Sequence, residues 1–231
     1  MRFQDAARDG RAVVYAAIQA EPLVAQAASL LVDAGTPERV LARAVMNGER
    51  TDPAGWRRMF PSLFGSDVPA VERDRAEAIL AVSLQVADRG EQVRSQVRGA
   101  IVEALAERLI ARQGPTVAAA VRRERRVLFD GVRAEIHPYD VTVEVDGRAE
   151  AWDCKWGARG IGSDVLHQLD DAWTHAVEEE EPLTVGLVVF DAGLSCHVRL
   201  ERQTGPRDRI RLVAIEALDR LAEATDHAAG R

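Results

Sequence analysis

The chain is almost without lysine. Of its 30 basic residues all but one are arginine, and the exception is Lys155. Cysteine is nearly as scarce, with only Cys154 and Cys196 present. Two thiols cannot make a zinc site unaided and do not suggest a disulfide framework, so a reduced, cytoplasmic setting is expected. No apolar run reaches the ~18–20 residues that cross a bilayer. The opening MRFQDAARDGR lacks the apolar core of a signal peptide, and no membrane partner is expected. Aromatic residues are 5% of the chain, which leaves no obvious platform for stacking unpaired bases. His167 and His175 are too far apart for a zinc pair at i, i+4, and no glycine-rich loop ends in G-K-[ST]. There is no repeat and no low-complexity tract.

What is present centres on HPYDVTVEVDGRAEAWDCKW, from His137 to Trp156. Val141, Val143 and Val145 alternate with Thr142 and Glu144, a period-2 strand pattern. Asp146-Gly147 is a strong signal for a two-residue hairpin turn. A second strand then runs from about Arg148 to Trp156, with Val145 facing Arg148. That register puts Asp140 opposite Asp153, with Lys155 on the same face. Two opposed aspartates repel, and a divalent cation between them removes the conflict; hard cations such as Mg²⁺ take carboxylate oxygens and keep several waters. A lysine beside such an ion can orient or deprotonate an attacking water and stabilise developing negative charge. The position of the sole lysine sharpens this reading.

Pro138-Tyr139-Asp140 followed by Asp153-Cys154-Lys155 resembles the PD-(D/E)XK nuclease superfamily, which has a restriction-endonuclease-like fold. Two departures stand: Tyr139 is inserted between Pro and Asp, and Asp153 is shorter than the commoner glutamate. The resemblance implies an α/β fold with an αβββαβ core over residues 91–231, preceded by an all-helical extension over 1–90. It implies a Mg²⁺-dependent endonuclease, with Mn²⁺ as a substitute ion and DNA favoured over RNA as substrate. Family members often serve in bacterial restriction, phage defence or repair with partner proteins. A helix ahead of the hairpin often carries R-G-x-x-x-E, and Arg98-Gly99-Ala100-Ile101-Val102-Glu103 fits, making Glu103 the third metal ligand beside Asp140 and Asp153. A glutamine on the helix after D-x-K often supports the lysine or the phosphate, and Gln168 matches in position.

The rest of the chain is read from its own patterning. Helical spacing recurs over Ala12–Ala20, Leu23–Ala34 and Pro37–Met46, and again from Ser66 to about Asp88. Trp56, Met59, Phe60, Leu63 and Phe64 read as a small helical core or a partner surface, through which a partner protein or a second copy could dock. Gln92–Arg112 is an amphipathic helix bearing Glu103 and Glu107. A further helix is expected from Thr116, presenting Arg122, Arg123, Arg125 and Arg126 either as phosphate contacts or as a solvated face. Arg159, in the glycine-rich loop Gly157–Gly162, is another candidate for nucleic-acid binding. Ser163 to about Val177 reads as a helix and Leu183–Phe190 as a buried strand. A strand near Cys196–Leu200 and a helix over Arg209–Ala224 complete the expectation. Net charge −7 argues against nonspecific coating of nucleic acid. Its distribution is uneven: residues 136–195 hold 3 basic and 13 acidic groups, whereas 91–135 hold 9 and 6.

Overall fold

The computed structural model describes residues 1–6, 10–48, 52–133, 137–145, 147–205 and 208–223. The chain divides into two compact units, one of residues 9–105 and one of residues 1–8 with 106–231.

The first unit is helical. It comprises α1 (Gly10–Gln19), α2 (Pro22–Val32), α3 (Thr36–Asn47), α4 (Pro53–Met59), α5 (Pro61–Phe64), α6 (Ala70–Ala87) and α7 (Glu91–Ala111) up to Leu105. Pro at the first turn starts α2, α3, α4 and α5, where the missing N–H removes a donor that would have no intrahelical partner. Arg39 is wholly buried, and its guanidinium donates to the Leu31 and Val32 carbonyls at the end of α2, which satisfies acceptors the helix leaves open. Of the expected aromatic core only Trp56 is buried; Met59 is exposed and Phe60 and Leu63 are half-buried.

The second unit is a mixed α/β layer structure. Its strands are β1 (Arg2–Asp5), β2 (Arg122–Phe129), β3 (Val132–Arg133), β4 (Tyr139–Val145), β5 (Arg148–Lys155), β6 (Leu183–Val189) and β7 (Arg211–Val213). They are ordered β1-β2-β4-β5-β6-β7, with β3 paired to β2. Pairing is antiparallel from β1 to β5 and parallel from β5 to β7. Helices α8 (Pro115–Ala120), α9 (Ser163–Glu178) and α10 (Gly193–Glu201) complete it, with 3₁₀ segments at Ala158–Gly160 and Ile215–Ala222. Leu166, Leu169, Ala172 and Ala176 of α9 pack in one core with Ala149, Ala151, Val185, Leu187 and Val189 of the sheet.

The hairpin forms in the expected register, Val145 opposite Arg148 through Val141 opposite Trp152. Gly147 has φ +70°, as the two-residue turn requires, while Asp146 lies outside the described residues. Gly186 of β6 faces Trp152 across the parallel ladder, and a Cβ there would lie 2.2 Å from the indole ring. Only glycine leaves room for that side chain.

Four expectations are corrected. The first residues are not helical: Arg2–Asp5 is an edge strand on β2, a pairing across more than a hundred residues that local patterning cannot show. The arginine run lies on β2 and not on a helix, because α8 ends at Ala120. Residues Cys196–Leu200 belong to α10 and not to a strand. The final segment is β7 followed by a 3₁₀ helix, not one α-helix.

Candidate active site

Asp153 and Lys155 occupy the C-terminal end of β5, beside the C-terminal end of the parallel strand β6. In open α/β sheets ligands gather outside the carboxyl ends of strands. The two ends are fastened together: the Phe190 N–H donates to the Lys155 carbonyl at 2.9 Å, and the Trp156 ring stacks on Phe190 with centroids 5.0 Å apart.

Asp140 does not stand out from the sheet as a simple partner of Asp153. By the hairpin register Thr142 shares the face of Ala151, so plain alternation would send Tyr139 to the other face. Tyr139 nevertheless belongs to the same core as Ala151, and its hydroxyl donates to the Gln168 carbonyl of α9 at 3.2 Å. The alternation therefore switches sides at Asp140. On β2 the same rung, between Arg123↔Val141 and Arg125↔Tyr139, belongs to Glu124, whose φ is +53°. Such a backbone angle is uncommon outside glycine. The irregular rung re-aims a side chain, as bulges beside functional sites do. Asp140 Oδ2 consequently turns along the sheet and accepts the Cys154 N–H at 2.6 Å.

The Lys155 ammonium hydrogen-bonds to Asp153 Oδ1. Desolvation of the largely enclosed amine works to lower its pKa, but the charges of Asp153 and Asp140 and the hydrogen bond to Asp153 outweigh this, and the pKa is raised. Lys155 is thus a firm cation at neutral pH. Gly160 crowds its stem, for a Cβ there would come within 3.0–3.1 Å of the lysine Cβ, Cγ and Cδ.

No family model and no curated protein matches the sequence. The crystal structure of protein VC1899 from Vibrio cholerae is similar at 16% identity with a TM-score of 0.43. The alignment covers 96% of this chain and 56% of that one, so this chain spans little more than half of its length.

The structure brings Asp140, Asp153 and Lys155 together and uses the other predicted residues differently. Glu103 is buried in the helical unit, its two carboxylate oxygens accepting from the Tyr15 hydroxyl and from Gln19 Nε2. Those bonds engage the oxygens a metal would need. Glu107 is paired with Arg123, and Glu144 with Arg125. Gln168 does not reach for the lysine. Its carboxamide clamps the His137 main chain, accepting the N–H at 3.3 Å and donating to the carbonyl at 3.2 Å. It therefore positions the entry to β4, three residues before Asp140.

The arginine run is equally committed to internal partners. Arg122 donates to the Ala119 and Val121 carbonyls, and Arg123 holds Glu107. Arg125 meets Asp5, Glu144 and the Phe3 carbonyl and lies over the Phe3 ring. Arg126 is engaged as well. As phosphate contacts Arg122, Arg123 and Arg125 are corrected: their guanidinium groups brace β1, β4 and the ends of α7 and α8. Arg159 is different, being exposed and without a side-chain partner among the described residues. Among the described residues, no group of three His, Cys, Asp or Glu side chains is close enough to hold a metal ion. The carboxylates gathered around Lys155 are two, Asp140 and Asp153; Mg²⁺ is a cation commonly held by one or two carboxylates, with water and substrate phosphate filling the remaining positions.

Proposed function

We propose that the sheet-bearing unit is a Mg²⁺-dependent nuclease of restriction-endonuclease-like type, hydrolysing phosphodiester bonds in DNA. One observation carries this reading: the sole lysine is drawn to two carboxylates at the carboxyl end of the sheet, where an irregular rung turns Asp140 toward the same strand end. Asp140 and Asp153 would hold the ion, which when bound supplies Lewis-acid polarisation of the scissile phosphate and a more acidic water. Lys155, as an ammonium, is suited to orient the attacking water and to stabilise charge growing on the phosphoryl oxygens. Hydrolysis forms a P–O bond to water and breaks a bridging P–O bond, whose electron pair leaves with the departing oxygen; the water gives up a proton to solvent and the departing oxygen takes one from solvent. Gln168, through His137, fixes the strand that carries Asp140. The resemblance to PD-(D/E)XK nucleases supports the assignment through Asp140, Asp153 and Lys155, and through no further ligand. A defence or repair setting with a partner protein rests on that resemblance alone.

A second reading is a non-catalytic binding module on the same framework. The direct pairing of Lys155 with Asp153 favours it, because that contact already neutralises one carboxylate without any ion. Plasmid nicking separates the two. Cleavage that needs Mg²⁺ or Mn²⁺, stops with EDTA and is lost in Lys155→Ala supports the nuclease. Cleavage that survives Lys155→Ala places the activity outside this site, and none in either metal favours the binding module.

A further inference from the structure

A groove of about 480 Å³ lies between the 3₁₀ turn Ala158–Gly160 and α10, within the sheet-bearing unit. Arg159 comes from the turn, Ser195 and Arg199 line the groove from α10 with Leu194 and Val198, and Arg202 does so from its C-cap. Ser195, Arg199 and Arg202 recur at i, i+4 and i+7, one stripe of a helix, while Cys196 on another side of the helix is fully buried. No carboxylate lines the groove.

Its walls are held in place. Asp191 is buried, and its two oxygens accept the Ala158 N–H at 3.0 Å and the Ala192 N–H at 2.8 Å, tying the turn to the start of α10. Arg199 is anchored by its Nε, which donates to the Ile161 carbonyl at 3.0 Å. Arg159 and Arg202 are exposed, and neither guanidinium has a partner among the described residues. That separates them from Arg122, Arg123 and Arg125, which are engaged inside the fold. The turn that carries Arg159 also carries Gly160, which packs on the stem of Lys155. One wall of the groove, Arg159, is thus the chain neighbour of the glycine packed on the candidate catalytic lysine.

We infer that this groove takes the phosphodiester backbone of the DNA strand next to the scissile bond. Arg159 and Arg202 contact successive phosphates, and Arg199 serves as the fixed wall between them. The inference deepens the nuclease reading and rests on it for the identity of the substrate. Three arginines facing no acid suit a polyanion, and the exposed Leu194 and Val198 suit the apolar faces of the sugars.

Fluorescence anisotropy in EDTA with a labelled DNA duplex, and with the corresponding single strand, tests this. The probe is titrated with the wild-type chain, Arg159→Ala/Arg202→Ala and Lys155→Ala at several salt concentrations. The groove predicts that the double variant binds at least about tenfold more weakly at low salt and that its log–log salt slope flattens by about 1.5–2, the loss of two phosphate contacts. The preferred probe identifies whether one strand or a duplex lies in the groove. Both substitutions are at exposed, unpaired side chains and leave folding intact. Unchanged affinity and slope in the double variant overturn the inference, as does a wild-type chain that binds neither probe. The two proposals fail separately. Weakened binding in the double variant without any cleavage by the wild type keeps the groove and removes the nuclease. Lys155-dependent cleavage with undiminished binding by the double variant does the reverse.

Discussion

Asp140 accepts the amide N–H of Cys154 at 2.6 Å, so the first acidic residue of the motif is bound to the main chain of the second. The carboxylate takes the place of a strand carbonyl at the rung just past Val141↔Trp152, where regular pairing of β4 with β5 ends. One oxygen is used in holding the two halves of the site at a fixed separation. In the proposed site the same carboxylate is also a metal ligand.

That division of labour predicts different outcomes for two substitutions. Asp140→Asn keeps a carbonyl acceptor for the Cys154 amide; it should fold with near wild-type stability and lose metal-dependent cleavage. Asp140→Ala leaves the amide without its acceptor and should cost a further ~1–3 kcal/mol. Thermal and denaturant unfolding of both variants checks this, and equal stabilities would show that the hydrogen bond contributes nothing.

Lys155 and Asp153 stabilise each other in an enclosed site, and removing one leaves a buried charge. Breaking such a pair is expensive, and with partial access to solvent Lys155→Ala should cost about 2–3 kcal/mol. Added Mg²⁺ should return part of that loss and so stabilise the variant more than the wild type. The pH behaviour follows from the raised pKa of Lys155. A cation whose folded pKa lies above its unfolded one gives stability that is complete below the unfolded value, ordinarily near 10.5, and fades as pH rises through the folded value. The stability difference between wild type and Lys155→Ala should therefore stay flat between about pH 6 and pH 9 and shrink only in strong alkali. Chemical denaturation across that range measures it.

In the proposed site Gln168 acts through its clamp on the His137 main chain, which leads into Asp140. Gln168→Ala should lower kcat about tenfold by loosening the placement of Asp140, with KM for DNA within about twofold. Stability should change little, by about 0.5 kcal/mol or less, since His137 is exposed and water can replace the lost bonds. A rise in KM at constant kcat would instead make Gln168 a substrate contact.

The parts of this architecture that are local in the chain were legible before any coordinates. Alternating valines and a D-G turn fix the hairpin register, and 3.6-residue periodicity marks α7 and α9. The continuous apolar run Leu183–Val189 is the buried strand β6. The parts that depend on distant partners were hidden. Arginine favours helices in isolation, and only pairing with β1 and β4 makes Arg122–Phe129 a strand. The side switch at Asp140 depends on a left-handed Glu124 two strands away in sequence, which no hairpin arithmetic contains. Likewise Arg159 and Arg202, without side-chain partners among the described residues, are separated in sequence and meet only because α10 packs on the 3₁₀ turn.

The claim that separates a metal-dependent site from a structural ion pair is that Asp140 and Asp153 share a divalent cation. Mn²⁺ titration followed by calorimetry, on the wild-type chain, Asp140→Asn and Asp153→Asn, tests it most directly. The nuclease account predicts a saturable site in the wild type, weakened at least about tenfold in each variant, because each loses one of the two charged ligands. No binding by the wild type, or binding that both variants retain undiminished, would contradict it and leave Lys155 and Asp153 as an ion pair that braces the end of the sheet.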